Sequence, residues 1–178
     1  MKQKQSLAYL TFFTLFYIYL FKVLDYTLFQ FQSLLVMKHF VPGLILNGQT
    51  AERSVNLIPL MTLTVEDLNT SLLNILLMLP FGFGLPFVSN VRMKKTVVVG
   101  ALFSIAIELL QLITGVIAGM TFRVADINDV IFNTVGVALG YLVFVGFVRI
   151  YRRTSQKWDV SAHPILRYVS ERPQSTNA

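Results

Sequence analysis

Long stretches without charged side chains constrain this sequence more than any other feature. Four stretches hold at most one Lys, Arg, Asp or Glu: residues 5–21, 68–91, 96–122 and 130–148. Glu108 is the single interruption. A helix crosses a hydrocarbon core of about 30 Å with roughly 20 apolar residues. The sequence therefore predicts four membrane-spanning helices, at about 5–24, 68–90, 96–120 and 127–149.

The overall composition indicates the same class of protein. Of 178 residues, 54% are hydrophobic and 13% are charged, and there is no cysteine. Because a soluble domain is about 25% charged, half of the expected charge is missing. The aromatic content excludes intrinsic disorder, and the lack of cysteine excludes a disulfide scaffold, a thiolate zinc site and a cysteine nucleophile. The predicted fold class is all-α, a polytopic membrane protein with a small four-helix transmembrane bundle.

The first span could instead be a cleaved signal peptide. No small-residue cleavage site follows it, and Asp25-Tyr26 leads into further aromatic residues. We therefore expect an uncleaved span, with the Lys22 side chain reaching the interface. The transmembrane domain is predicted to cover residues 1–153. A basic, loosely ordered cytoplasmic tail is predicted for residues 154–178.

The distribution of positive charge predicts the orientation. Eleven of the fifteen cations precede the first span, lie between the second and third, or follow the fourth: Lys2, Lys4, Arg92, Lys94, Lys95, Arg149, Arg152, Arg153, Lys157, Arg167 and Arg172. The positive-inside rule then predicts a multi-pass plasma-membrane protein with both termini cytoplasmic. The net charge of +6 is therefore a topology signal. The lipid bilayer is the expected partner, and no nucleic-acid partner is predicted.

The outer loop, residues 25–66, is unusually apolar for a loop. Its apolar stretches are too short to cross a membrane, and Pro42-Gly43 and Asn47-Gly48 interrupt them. We expect residues 25–50 to form an interfacial or re-entrant segment.

Glu108 is the ionisable residue placed deepest in a predicted span. An acidic side chain near mid-membrane costs about 2.5–3.5 kcal/mol, so it needs a partner or a wet cavity. Gln111 lies on the same helical face, one turn closer to the outer side. The two residues could line a ligand pocket, or they could join helix 3 to helix 2 or 4.

The fourth span carries one polar stripe. Asp126, Asp129, Asn133, Gly136 and Gly140 are spaced 3, 4, 3 and 4 residues apart and share one helical face. The two glycines favour close packing against a neighbouring helix. Asp126 also suits a helix start, where a carboxylate meets exposed amide groups. Capping leaves Asp129 and Asn133 without an explanation, so we include all three polar residues in the candidate pocket.

Two arginines and two asparagines complete the candidate pocket. Arg123 precedes the fourth span and could pair with an acid or hold a phosphate or carboxylate group. Arg53 and Asn56 lie in the outer loop, and Asn74 lies in the outer third of the second span. In that same span, Pro80 and Gly82 are predicted to shape helix packing, and a kink at Pro80 would open space beside Glu108.

Familiar catalytic and cofactor motifs are absent from the sequence. There is no Walker loop, no Gly-x-Ser-x-Gly elbow and no His-Glu-x-x-His. Glu108, Asp126 and Asp129 could bind a hard cation, but this signal is weak. No cofactor, metal site or catalytic residue is predicted.

These polar positions resemble the VanZ-like family. Four motifs carry the resemblance in order: Arg53-x-x-Asn56-Leu57-x-Pro59, Asn74 with Leu79-Pro80-Phe81-Gly82, Glu108-Leu109-Leu110-Gln111, and Arg123-x-x-Asp126-Ile127-x-Asp129-x-x-x-Asn133-x-x-Gly136-x-x-x-Gly140. The resemblance covers residues from about 50 to 145, with a compatible first span. It implies a small Gram-positive plasma-membrane protein of the kind that lowers susceptibility to teicoplanin-type lipoglycopeptide antibiotics. It implies no settled catalytic residues.

Three functional hypotheses follow. In the first, a non-enzymatic protein with an outward-facing polar pocket alters how a lipoglycopeptide, or its lipid-linked cell-wall target, engages the cell surface. In the second, an intramembrane enzyme acts on a polyprenyl-phosphate or lipid-linked precursor, with Glu108 or Asp129 as general base. In the third, the buried polar groups only fix helix register. We favour the first, and the sequence predicts no oligomeric state.

Overall fold

The computed structural model describes residues 7–28, 55–60, 65–118, 124–155 and 168–169. Within these ranges the chain forms four long helices, which are α1 (Leu7–Leu28), α2 (Val65–Ser89), α3 (Met93–Ala118) and α4 (Ile127–Ser155). Two short strands, β1 (Val55–Asn56) and β2 (Ala125–Asp126), precede α2 and α4. All four helices are long and apolar enough to cross a membrane, which confirms the predicted helical membrane fold.

The helices extend beyond the charge-free stretches. Helix α1 continues to Leu28 and α4 to Ser155, past the ends expected at about 24 and 149. A charged side chain does not by itself terminate a helix, so α4 can continue past its charge-free stretch. Arg152 and Arg153 lie in its last turn, where cations suit the negative end of the helix dipole. Residues 25–28 are helical, and the rest of the predicted interfacial or re-entrant segment lies outside the described residues.

The bundle has two chemically different ends. At one end α1 begins, α2 ends, α3 begins and α4 ends, beside the cations of the 92–95 turn and of the last turns of α4. We call this the basic end, and we call the opposite end, which carries β1 and β2, the strand end. Phe12 of α1 stacks on Phe87 of α2, and the Tyr19 hydroxyl donates to the Leu77 carbonyl, so α1 and α2 are antiparallel.

Helices α2 and α4 are parallel and form the most extensive contact in the bundle. Their backbones meet at three glycines. A Cβ atom on Gly82 would lie 1.9 Å from the Val137 carbonyl oxygen, and one on Gly140 would lie 2.0 Å from the Leu79 carbonyl oxygen. The equivalent distance from Gly136 to the Ile75 carbonyl oxygen is 2.4 Å. Real Cβ atoms do not approach so closely, so only glycine fits this helix pair without a backbone shift.

Pro80 lies on the exposed face of α2, and its predicted role in shaping helix packing stays a prediction. Met78, Phe81 and Leu85 are buried in the bundle, and helical spacing places Pro80 on the opposite side. Helix α2 continues through Pro80 and Pro86 to Ser89.

Two residues of the predicted tail pack against the bundle, and the rest of the tail after Ser155 lies outside the described residues. Tyr168 and Val169 are buried at the basic end, in a cluster with five other buried residues: Ala8, Phe87, Tyr141, Phe144 and Val148. A polar, proline-containing segment can still dock through an isolated apolar pair.

Candidate functional site at the strand end

The strand end is closed by a short parallel pairing between distant parts of the chain. Val55 aligns with Ala125, and Asn56 aligns with Asp126. The Asn56 side-chain amide donates to both carboxylate oxygens of Asp126, at 3.1 Å each. The Asn56 side-chain oxygen accepts the backbone N–H of Ile58 at 3.1 Å, a local turn typical of asparagine. Asn56 therefore holds the segment before α2 against the start of α4.

Asp126 caps the N-terminus of α4. Its carboxylate accepts the backbone N–H of Asn128 at 2.8 Å, two residues later. The Asn128 side-chain oxygen accepts the backbone N–H of Leu60 at 2.8 Å, where Leu60 has a φ of 59°. Asn128 was not among the predicted residues, although its position in the first turn of a capped helix is a signal for such a contact.

Glu108 joins α3 to the start of α4. Its Oε2 atom accepts the backbone N–H of Asp126 at 3.1 Å, and the residue is 8% exposed. This contact is of the kind expected if Glu108 links helix 3 to helix 4. It places the carboxylate level with the beginning of α4, where polar groups from three elements meet.

The remaining polar residues of α4 contact two different helices. The Asn74 side-chain amide of α2 donates to Asp129 at 2.7 Å. The Asn133 amide donates to the Ser104 hydroxyl of α3 at 2.8 Å, and both residues are buried. Ser104 was not among the predicted residues, although it lies one turn before Glu108 on the same face. The polar stripe of α4 thus connects α2 and α3.

Gln111 ties α3 to the end of α1. Its Nε2 atom donates to the carbonyl oxygen of Thr27 at 3.0 Å, and the side chain is 2% exposed. This carbonyl lies at the strand end of α1, in the last turn that the structure describes. Because a carbonyl only accepts hydrogen bonds, the contact fixes which end of the Gln111 amide is nitrogen.

Three buried side-chain atoms have no hydrogen-bond partner among the described residues; one is the Tyr151 hydroxyl near the basic end, and the other two are acceptors in the polar part of the bundle. These two acceptors are the Oε1 atom of Gln111 and the Oδ1 atom of Asn133. Leaving a buried acceptor unpaired costs about 1–3 kcal/mol, so such atoms mark places where water or a ligand would donate.

Buried polarity is concentrated on one side of the bundle. Of the described residues, the buried polar ones from the middle to the strand end are Thr27, Ser71, Asn74, Ser104, Glu108, Gln111 and Asn133. Thr96 is also buried, and its hydroxyl donates to the Arg92 carbonyl within its own turn. The basic-end half is filled by Tyr141, Phe144 and Phe87. The described buried polar side chains therefore cluster in the half of the bundle that lies nearer the strand end.

Arg53 and Arg123, predicted to hold an anionic group, lie outside the described residues, so that role stays a prediction. Among the described residues, no group of three His, Asp or Glu side chains could hold a metal ion. The described part of the site thus offers carboxylate, amide and hydroxyl groups.

Comparison with known proteins assigns the chain to a family. Searches of curated proteins and of solved structures find no match. The model of the VanZ/LLP1 family matches residues 6–150, which include all four helices up to the last turns of α4 and every residue of the polar site. The protein therefore belongs to the VanZ/LLP1 family.

Proposed function

We propose that this membrane protein lowers susceptibility to teicoplanin-type lipoglycopeptide antibiotics. In this proposal, the polar site at the strand end faces outward and alters how the antibiotic, or its lipid-linked cell-wall target, engages the membrane surface. The VanZ/LLP1 assignment supports a link to antibiotic resistance.

The observation that carries the proposal is the pair of unpartnered buried acceptors within the one-sided polar site. Gln111 and Asn133 each present a carbonyl oxygen that lacks a donor among the described residues. Lipoglycopeptides and lipid-linked cell-wall precursors carry many hydroxyl and amide N–H groups, which are the donors such oxygens need. A ligand of this kind would complete the hydrogen bonding of the site.

An intramembrane enzyme acting on a lipid-linked precursor is the second candidate. Glu108 favours it, because a buried carboxylate beside polar groups can serve as a general base. We place it second because the Oε2 atom of Glu108 already accepts the Asp126 N–H, which is a structural role.

Antibiotic susceptibility with and without the gene tests the proposal. Expression should raise the teicoplanin concentration that inhibits growth and leave the vancomycin concentration nearly unchanged. The substitutions Glu108→Gln, Asp129→Asn and Arg123→Ala should each abolish protection at unchanged abundance in the membrane. Gln111→Met should weaken it, because it keeps the side-chain length and removes both the free acceptor and the bond to the Thr27 carbonyl.

Thr114→Val is the matched control, because among the described residues the Thr114 hydroxyl bonds to carbonyls of its own helix. It should retain protection. Full protection retained by all three single variants, Glu108→Gln, Asp129→Asn and Arg123→Ala, would refute the pocket. Incubating the purified protein with labelled lipid-linked precursors separates the enzyme hypothesis, since only an enzyme changes the product.

A further inference from the structure

The basic end of the bundle carries an aromatic surface formed by α1, α2 and α4, and a short piece of the tail covers it. Tyr168 is 7% exposed and Val169 is 4% exposed. Both belong to the buried cluster that includes Ala8 at the start of α1 and Phe144 in α4. The tail therefore returns to the bundle after α4 has ended.

The Tyr168 hydroxyl donates to the backbone carbonyl of Phe87. Helix α2 ends at Ser89, so this carbonyl is one of the last four, which lack intrahelical partners. The preceding carbonyl, of Pro86, accepts the Asn90 N–H at 3.1 Å. Tyr168 thus supplies a donor that the helix end needs in a buried, aromatic environment.

Ring contacts connect the tail to α1. Phe12 stacks on Phe87 with centroids 4.5 Å apart and an interplanar angle of 5°. It also stacks on Tyr168, at 5.6 Å and 18°. Tyr9 meets the Tyr168 ring edge-on at 6.4 Å. Tyr168 therefore contacts both helices at the point where α1 packs on the end of α2.

Helix α1 depends on this contact more than the other helices would. In an 18-residue apolar stretch of α1, only 17% of the residues are buried inside the bundle. The corresponding shares for the other three helices are 33% to 44%. A ring that covers the Phe12–Phe87 stack therefore adds a larger share to the packing of α1.

We propose that the segment around Tyr168 and Val169 is an intramolecular clasp that docks on the aromatic surface at the basic end and holds α1 against α2. The match to the family ends at residue 150, so the clasp lies beyond the region that this chain shares with the family model. Removing the clasp frees the basic end of α1, while the Tyr19 and Gln111 contacts still hold its middle and its strand end.

The cysteine-free sequence allows a direct distance measurement. Spin labels on Thr11→Cys and Ser89→Cys, both exposed near the basic end, report the separation of α1 and α2 in the full-length protein in lipid nanodiscs. Truncation after Ser155 should broaden the distance distribution and shift it to longer values. Truncation after Ser170 keeps the clasp and should leave the distribution unchanged.

Two further variants distinguish a clasp from a general loss of folding. Tyr168→Phe keeps the ring contacts and loses the hydroxyl, so it should broaden the distribution less than Tyr168→Ala in the full chain. A peptide of residues 156–178 added to the truncated protein should restore the narrow distribution. If the truncated protein does not fold, the distance distribution of the full-length Tyr168→Ala variant decides between the two. An unchanged distribution in Tyr168→Ala or in the protein truncated after Ser155 overturns the proposal.

Discussion

Asp126 connects three elements at once. Its carboxylate accepts hydrogen bonds from the Asn56 side chain and the Asn128 backbone, and its own N–H donates to Glu108. One residue therefore fixes the pairing of β1, the first turn of α4 and the position of α3 beside it. A carboxylate at a helix N-terminus also suits the positive end of the helix dipole.

Replacing Asp126 should destabilise the protein. Asp126→Ala removes the cap and the partner of Asn56, so the free energy of unfolding should fall by about 1–3 kcal/mol. Asp126→Asn keeps a capping oxygen and should cost less. Reversible unfolding in mixed micelles, followed by circular dichroism, measures both.

Lys22→Ala is the control for this series. Lys22 and Asp25 form an exposed ion pair at 3.4 Å, and such pairs contribute about 0–1 kcal/mol. Equal destabilisation by Asp126→Ala and Lys22→Ala would contradict the central position of Asp126.

At the scale of elements, the bundle is organised around α2 and α4. They are not adjacent in the chain, yet they pack through Gly82, Gly136 and Gly140 at backbone contact distance. Small residues permit such an approach in membranes, where burial of apolar surface contributes little to helix association. This close pair also sets the distance across which Asn74 bonds to Asp129.

Alanine substitutions at two glycines of α4 should separate the effect of the α2–α4 contact from that of helix propensity. Gly140→Ala places a methyl group against the Leu79 carbonyl and should lower the free energy of unfolding by about 1–3 kcal/mol. Gly146→Ala on the same helix meets nothing within 4 Å, so it should leave stability unchanged or raise it by up to about 1 kcal/mol. The same unfolding measurement compares the two variants, and equal effects would exclude a tight α2–α4 contact.

At the scale of the whole molecule, the helices were predictable and several contacts were not. The scarcity of charge between residues 68 and 148 located α2, α3 and α4, because a hydrocarbon core tolerates few charges. The 3-4 spacing of Asp126, Asp129 and Asn133 placed them on one face. Periodicity does not identify the partner helix, so the Asn74–Asp129 and Asn133–Ser104 bonds had to come from the structure.

Two contacts had no usable sequence signal. The β1–β2 pairing involves only two residues on each side, which is too short for an alternating pattern. Tyr168 lies in a polar segment without helical periodicity, so its docking was not predicted. Pro80 lies on the exposed face of α2, as the core positions around it require.

Orientation is the prediction that concerns the molecule as a whole. We expect the basic end to face the cytoplasm, since it holds most of the cations. With no native cysteine, Leu57→Cys at the strand end should react with a membrane-impermeant maleimide in intact cells. Ser89→Cys at the basic end should react only after permeabilisation. The reverse pattern would invert the topology and place the polar site on the cytoplasmic side.

The hydrogen bonds of the strand end also impose an order on biosynthesis. Three of them join α2 or α3 to residues made later: Asn74–Asp129, Ser104–Asn133 and Glu108–Asp126. A chain emerges from its N-terminus, so α2 and α3 enter the membrane before these partners exist. Polar groups without partners are costly in hydrocarbon. Synthesis of the segment that leads into α4 therefore supplies the missing hydrogen-bond partners of α2 and α3. We expect the ribosome-bound chain that ends at α3 to be the intermediate most dependent on the insertion machinery.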